Sequence, residues 1–188
     1  MTKTTPLAAL ALLALLGLAT PALALAASPD APPPWAATLR AGAFVLRSPG
    51  IAGHPSGPDF ELSLGRAVYD LVSVEANAGY YTCRLTGTGT RLTVIPLTVS
   101  LKLMAASEFG FEAYAVGGLG VNLTSLGGGS AASTVTSKFA YHAGLGVRRM
   151  LGASLYAGLE GRYVFQDAAR PLERIDGLRL SALAGALF

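Results

Sequence analysis

From about residue 37 to the C-terminus, apolar side chains recur at every second position, in segments divided by clusters of Gly, Pro and small polar residues. That is the period of a strand with one apolar and one polar face. In 37–46, Leu39, Ala41, Ala43 and Val45 share one face, and Thr38, Arg40 and Gly42 the other. In 59–66, Phe60, Leu62 and Leu64 oppose Glu61, Ser63 and Gly65. The pattern continues through 71–82, where Glu75 and Asn77 lie on the polar face, and 91–103, where Thr98, Ser100 and Lys102 do. Pro96 falls inside the latter segment, which costs a ladder bond unless a bulge or kink receives it. In 109–122 the polar face carries Glu112, Tyr114, Gly118 and Gly120, and in 137–148 it carries Lys138, His142, Gly144, Gly146 and Arg148. Segments 154–165, with Glu160 and Arg162, and 176–188, with Arg179 and Ser181, complete a set of eight predicted strands.

The connections alternate in length. Residues 47–58, 83–90, 122–136 and 166–175 are long, and 67–70, 104–108 and 149–153 are short. By composition, 122–136 reads as a flexible loop, and Cys83 falls in the loop 83–90. Composition then decides which side of these strands meets water. Of 188 residues, 52% are hydrophobic and only 13% charged, about half the charge of an ordinary soluble domain. No apolar run beyond residue 30 approaches the roughly 18–20 residues of a spanning helix. A transmembrane barrel reconciles the two facts, because its lipid-facing residues alternate with lumen-facing ones. The predicted fold is all-β: an eight-stranded antiparallel up-and-down transmembrane β-barrel over residues 36–188.

Residues 1–26 read as a cleaved signal peptide: Lys3, an apolar core from Leu7 to Ala19, then Ala24-Leu25-Ala26 as the small-x-small cleavage pattern. Residues 27–35 follow as a Pro-rich tail. The formal charge is +3 with the leader and +2 without Lys3, too little for a nucleic-acid partner. One cysteine allows no internal disulfide. Nothing in the sequence forms a metal or cofactor site.

With the strands in place, the chain resembles a known family. Leu187-Phe188 ends an alternating last strand in an aromatic residue; LTVIPLTVSLKL (92–103), FEAYAVGGLGVN (111–122) and YAGLEGRYVF (156–165) are similar to the fourth, fifth and seventh strands of the OmpA/OmpW/OmpX-type barrels. The resemblance covers nearly all of the mature chain. It implies the outer membrane of a bacterium, with lipid and lipopolysaccharide as surroundings; no peptidoglycan-binding domain follows Phe188, so a barrel-only chain is expected. It also implies that Phe188 is the signal read by the barrel-assembly machinery. A monomer is expected.

With the apolar face toward lipid, Arg40, Glu61, Glu75, Lys102, Glu112, Lys138, Arg148, Glu160, Arg162 and Arg179 point into the lumen or sit at its rims. An eight-stranded barrel is only wide enough for its own side chains, so these charges are expected to pair in a closed polar core. The competing reading is a narrow pore for small or apolar solutes, with Gly118, Gly120, Gly144 and Gly146 leaving room; the glycines otherwise receive larger neighbours. Two further roles stand beside these: a surface adhesion or binding module acting through the long loops, and a lipid-modifying enzyme. Lipid A deacylase-type barrels carry a Ser/His/acid set facing lipid. Here His142 lacks the nearby Ser and points inward, so no catalytic residue is assigned. Tyr80, Tyr81, Tyr141, Tyr163, Phe165 and Phe188 are candidates for interfacial aromatic girdles.

Overall fold

A computed structural model describes residues 35–47, 54–69, 71–85, 90–105, 110–128, 131–166 and 175–188. The expected signal peptide and most of the Pro-rich tail lie outside the described residues.

Eight strands follow one another: β1 (Trp35–Leu46), β2 (Ser56–Tyr69), β3 (Val72–Arg84), β4 (Arg91–Met104), β5 (Phe111–Gly128), β6 (Ala131–Met150), β7 (Leu155–Gln166) and β8 (Gly177–Leu187). Each pairs antiparallel with its sequence neighbour, and β8 pairs with β1, so the sheet closes into a barrel. At the seam, Trp35 N–H donates to the Phe188 carbonyl at 3.1 Å and Phe188 N–H returns to Trp35 at 3.0 Å. Closure leaves no unpaired edge, which is the condition for a sheet to cross a bilayer.

The alternation read from sequence holds along the walls. Leu39, Leu62, Val99, Leu119, Leu145 and Leu159 are all more than half exposed on the outer face, while Arg40, Glu61, Glu75 and Arg162 are at most 3% exposed inside. A barrel turned apolar side out is built for lipid. Outward aromatics gather at both ends of the belt. Phe60, Tyr80, Phe139 and Tyr141 lie toward the long loops, where Tyr141 stacks on Phe165 with centroids 4.9 Å apart. Tyr69 and Phe111 are exposed toward the short turns, where Trp35 carries Arg66 over its ring at 5.7 Å.

Three expectations need correction. Residues 122–136 are not a free loop: β5 runs to Gly128 and β6 starts at Ala131, with Leu123 opposite Ser137 and Val135 opposite Ser125. Period two persists beneath the Gly/Ser composition, with Asn122 and Thr124 buried. Cys83 is not in a loop but near the end of β3, 3% exposed, because its odd position continues the inward face of that strand. Tyr81 belongs to no girdle, since the same parity turns it inside, where it stacks on Phe44 at 4.2 Å. Pro96 agrees with the sequence reading: no bulge receives it, and ladder pairing is lost around it. The β3–β4 ladder pairs Ala78 with Leu97 and Tyr81 with Val94 but omits the two positions between, and Gly79 opposite gives the proline ring space.

Candidate functional site

The lumen is layered. Toward the long loops, Phe44, Leu46, Tyr81, Cys83, Leu92, Val94 and Ile175 form one buried apolar cluster. Toward the short turns, Tyr114, Val116, Tyr156 and Leu183 form another, joined by Met104, Met150 and Leu187. Between them lie the charges.

Glu61 on β2 is the hub. Its Oε1 accepts Arg40 Nη1 at 3.1 Å and Arg162 Nη1 at 3.0 Å, and its Oε2 accepts Arg179 Nη1 at 2.7 Å. Arg40 on β1 is the complementary hub. It reaches Glu75 at 3.0 Å through Nη2 and Glu160 at 3.0 Å through Nε, and it also donates to Ser63 Oγ. Arg162 Nε lies 2.6 Å from the same Glu160 oxygen, so Arg40, Glu61, Arg162 and Glu160 form a closed ring of alternating charge. Lys102 joins through Glu75 at 2.5 Å. Arg179 holds Asp59 in a two-pronged pair at 2.8 and 2.9 Å.

The network therefore links four cations (Arg40, Lys102, Arg162, Arg179) to four anions (Asp59, Glu61, Glu75, Glu160), all at most 5% exposed. It is formally neutral. Isolated charges taken out of water cost several kcal/mol each, and only close pairing with further hydrogen bonds offsets that. Asp59 was missed in sequence because the strand was begun at that residue; the alternation of Glu61, Ser63 and Gly65, carried back one step, finds it. Glu112 and Arg148 pair with each other at 2.5 Å at the short-turn rim and are partly exposed. Lys138 is half-buried opposite Asn122 near the loop end. These three stand outside the eight-membered network.

Glycines let the lining cross from strand to strand. Ser100 on β4, Gly118 on β5 and His142 on β6 lie in one row. The Ser100 Oγ–His142 Nε2 contact of 3.0 Å passes over Gly118, where a Cβ would sit 2.7 Å from both side chains. Tyr114 on β5 lies across Gly146 on β6 to donate to Glu160 on β7 at 2.8 Å. Tyr156 on β7 lies across Gly185 on β8 to meet Thr38 on β1 at 2.5 Å. In both cases a Cβ on the glycine would lie less than 2.5 Å from the tyrosine ring. Gly118 and Gly146 thus serve larger neighbours rather than a passage. Gly144 is similarly filled, with Arg162 Cγ 2.8 Å from its Cβ position.

Sequence reading also missed the loop-side polar pair, Asn122 Nδ2 donating to Gln166 Oε1 at 2.9 Å, because both residues had been placed in loops. No group of His, Cys, Asp and Glu suited to a metal ion exists among the described residues.

Fold and lining together define a membrane-spanning barrel with a charge-paired interior. The sequence matches no protein-family model and no curated protein. Solved structures match it in fold. Neisserial surface protein A is similar over 82% of this chain and 97% of its own, with TM-score 0.70 and 13% identity. Ail, the attachment invasion locus protein of Yersinia pestis, is similar over 84% and 100%, with TM-score 0.57 and 12% identity. The outer membrane enzyme PagL is similar over 81% and 99%, with TM-score 0.52 and 14% identity. The fold is that of the small eight-stranded outer-membrane barrels.

Proposed function

We propose that this chain is an integral protein of the bacterial outer membrane. In this reading its interior is a structural core and its interactions are made at the surface. The observation that carries the reading is the neutral eight-residue charge network, with apolar layers on the loop side and the turn side of it. A solute crossing the lumen has to separate pairs that are otherwise desolvated, at several kcal/mol per exposed charge. Rigid walls and long connections are the usual division of labour when loops carry function. The fold neighbours include a surface protein and an attachment protein, which favours a role in surface contact. In this reading Phe188, which pairs with Trp35 at the barrel seam, is the residue that the assembly machinery recognises.

An enzymatic role of the lipid-modifying kind is not favoured. His142 is 5% exposed, faces the lumen, and bonds Ser100 there; an acyl chain on the outer face does not reach it. Liposome swelling tests the closed interior. Liposomes carrying the refolded barrel are expected to swell in isotonic small sugars no faster than protein-free ones. Rapid swelling graded by solute size supports the pore instead.

A further inference from the structure

The formal charge of the barrel is not spread evenly. The interior network is neutral. By sequence position, the short-turn end carries Arg66, Arg148 and Arg149 against Asp70, Glu108 and Glu112, and is neutral too. The long-loop end carries six cations: Arg47, Arg84, Arg91, Lys138, Arg170 and Arg174. Against them stand three acids, Asp167, Glu173 and Asp176. The resulting +3 is the whole excess from Trp35 onward. Asp176 is buried, 4% exposed, and accepts the Gln166 N–H at 3.2 Å, so its charge does not face the surface.

Two of these cations are placed together. Arg84, the last residue of β3, and Arg91, the first of β4, are direct cross-strand partners. Both are exposed, and their parity puts both on the outer face. Residues directly opposite have Cβ atoms about 4.5–5.5 Å apart, and like charges there are destabilising. Among the described residues neither has an acidic partner, and the loop between them, LTGTGT, contains no acid. The barrel shows inside itself what such a pair requires. Arg162 and Arg179 are also direct cross-strand partners, and the carboxylate of Glu61 bridges them.

We infer that Arg84 and Arg91 form a binding site for the phosphate of a phosphorylated glycolipid in the outer leaflet. The proposal rests on the outer-membrane reading, with the long loops facing outward. Arginine forks match phosphate oxygens in pairs. The neighbouring surface continues the fit. Thr82 and Thr93 lie one step nearer the bilayer, with hydroxyls 3.4 Å apart. Exposed Tyr80 follows, and then the apolar belt of Leu97, Val99 and Leu101 on β4, where acyl chains lie.

The test is binding of fluorescent lipid A to the refolded mature barrel in maltoside detergent, with heat-dependent gel migration reporting folding of every variant. Arg84→Gln/Arg91→Gln is expected to weaken binding at least tenfold. Lipid A stripped of its phosphates is expected to bind the wild type equally weakly. Arg66→Gln/Arg149→Gln, at the other end, is expected to bind as wild type. If the double variant fails to fold, the single variants Arg84→Gln and Arg91→Gln are each expected to lose at least threefold. Undiminished binding by the loop-end variants overturns the site, as does equal binding of dephosphorylated lipid A. A soluble sulfated oligosaccharide whose binding depends on both arginines, while that of lipid A does not, also overturns it. Conductance plays no part in the readout, so the outcome is separate from the closed-core reading.

Discussion

Arg162 on β7 and Arg179 on β8 face each other directly across the strand pair inside the barrel, and Glu61 on β2 holds both, at 3.0 Å and 2.7 Å. The same carboxylate also takes Arg40 at 3.1 Å. Removing that one negative charge leaves three buried guanidinium groups around an amide.

Glu61→Gln is therefore expected to destabilise the barrel by about 3–5 kcal/mol, the cost of breaking a buried pair from one side. Urea unfolding followed by heat-dependent gel migration measures it. Glu61→Gln/Arg162→Gln restores neutrality and is expected to recover part of the loss. Glu112→Gln, at the partly exposed rim pair, is expected to cost under about 1 kcal/mol. Equal effects at positions 61 and 112 contradict the network's central place.

Glycines under bridging side chains give a second expectation. Gly146→Ala puts a methyl where the Tyr114 ring lies, which costs about 1–3 kcal/mol as overpacking. In a Tyr114→Ala background the same change is expected to cost little, a non-additivity diagnostic of contact. Additive losses in the double-variant cycle contradict the bridge.

Cys83 sits 3% exposed among Phe44, Tyr81 and Leu92. Maleimide is expected to leave it unlabelled in the folded barrel and to label it fully in urea, since thiol reactivity needs access. Rapid labelling of the folded protein returns Cys83 to a surface loop.

The strand count, the closure and the inward positions of Arg40, Glu61, Glu75, Lys102, Glu160, Arg162 and Arg179 were legible because period two is a local signal. Strand ends were not, because composition competes with pairing there. Gly and Ser hid the extension of β5 and β6, and the same bias put Cys83 outside and left Asp59 and Gln166 unassigned. The partners within the lumen were not legible at all. Which arginine meets which carboxylate depends on register around the closed sheet, as Glu61 on β2 meeting Arg162 on β7 shows. The Tyr114–Gly146–Glu160 row needs three strands in register before any one residue explains the others.

Deleting Phe188 removes the residue that exchanges two hydrogen bonds with Trp35 at the seam, donating one and accepting the other. It is expected to reduce assembled, heat-modifiable protein in cells severalfold while in vitro refolding is less affected. Wild-type insertion without Phe188 sets aside its role as an assembly signal.

Single-channel recording of the refolded barrel in planar bilayers tests the closed core most directly. Bilayers containing inserted, heat-modifiable protein are expected to show no discrete conductance steps. Reproducible openings that change with Arg162→Ala or Glu75→Gln would contradict it, and would make the charge network the wall of a pore.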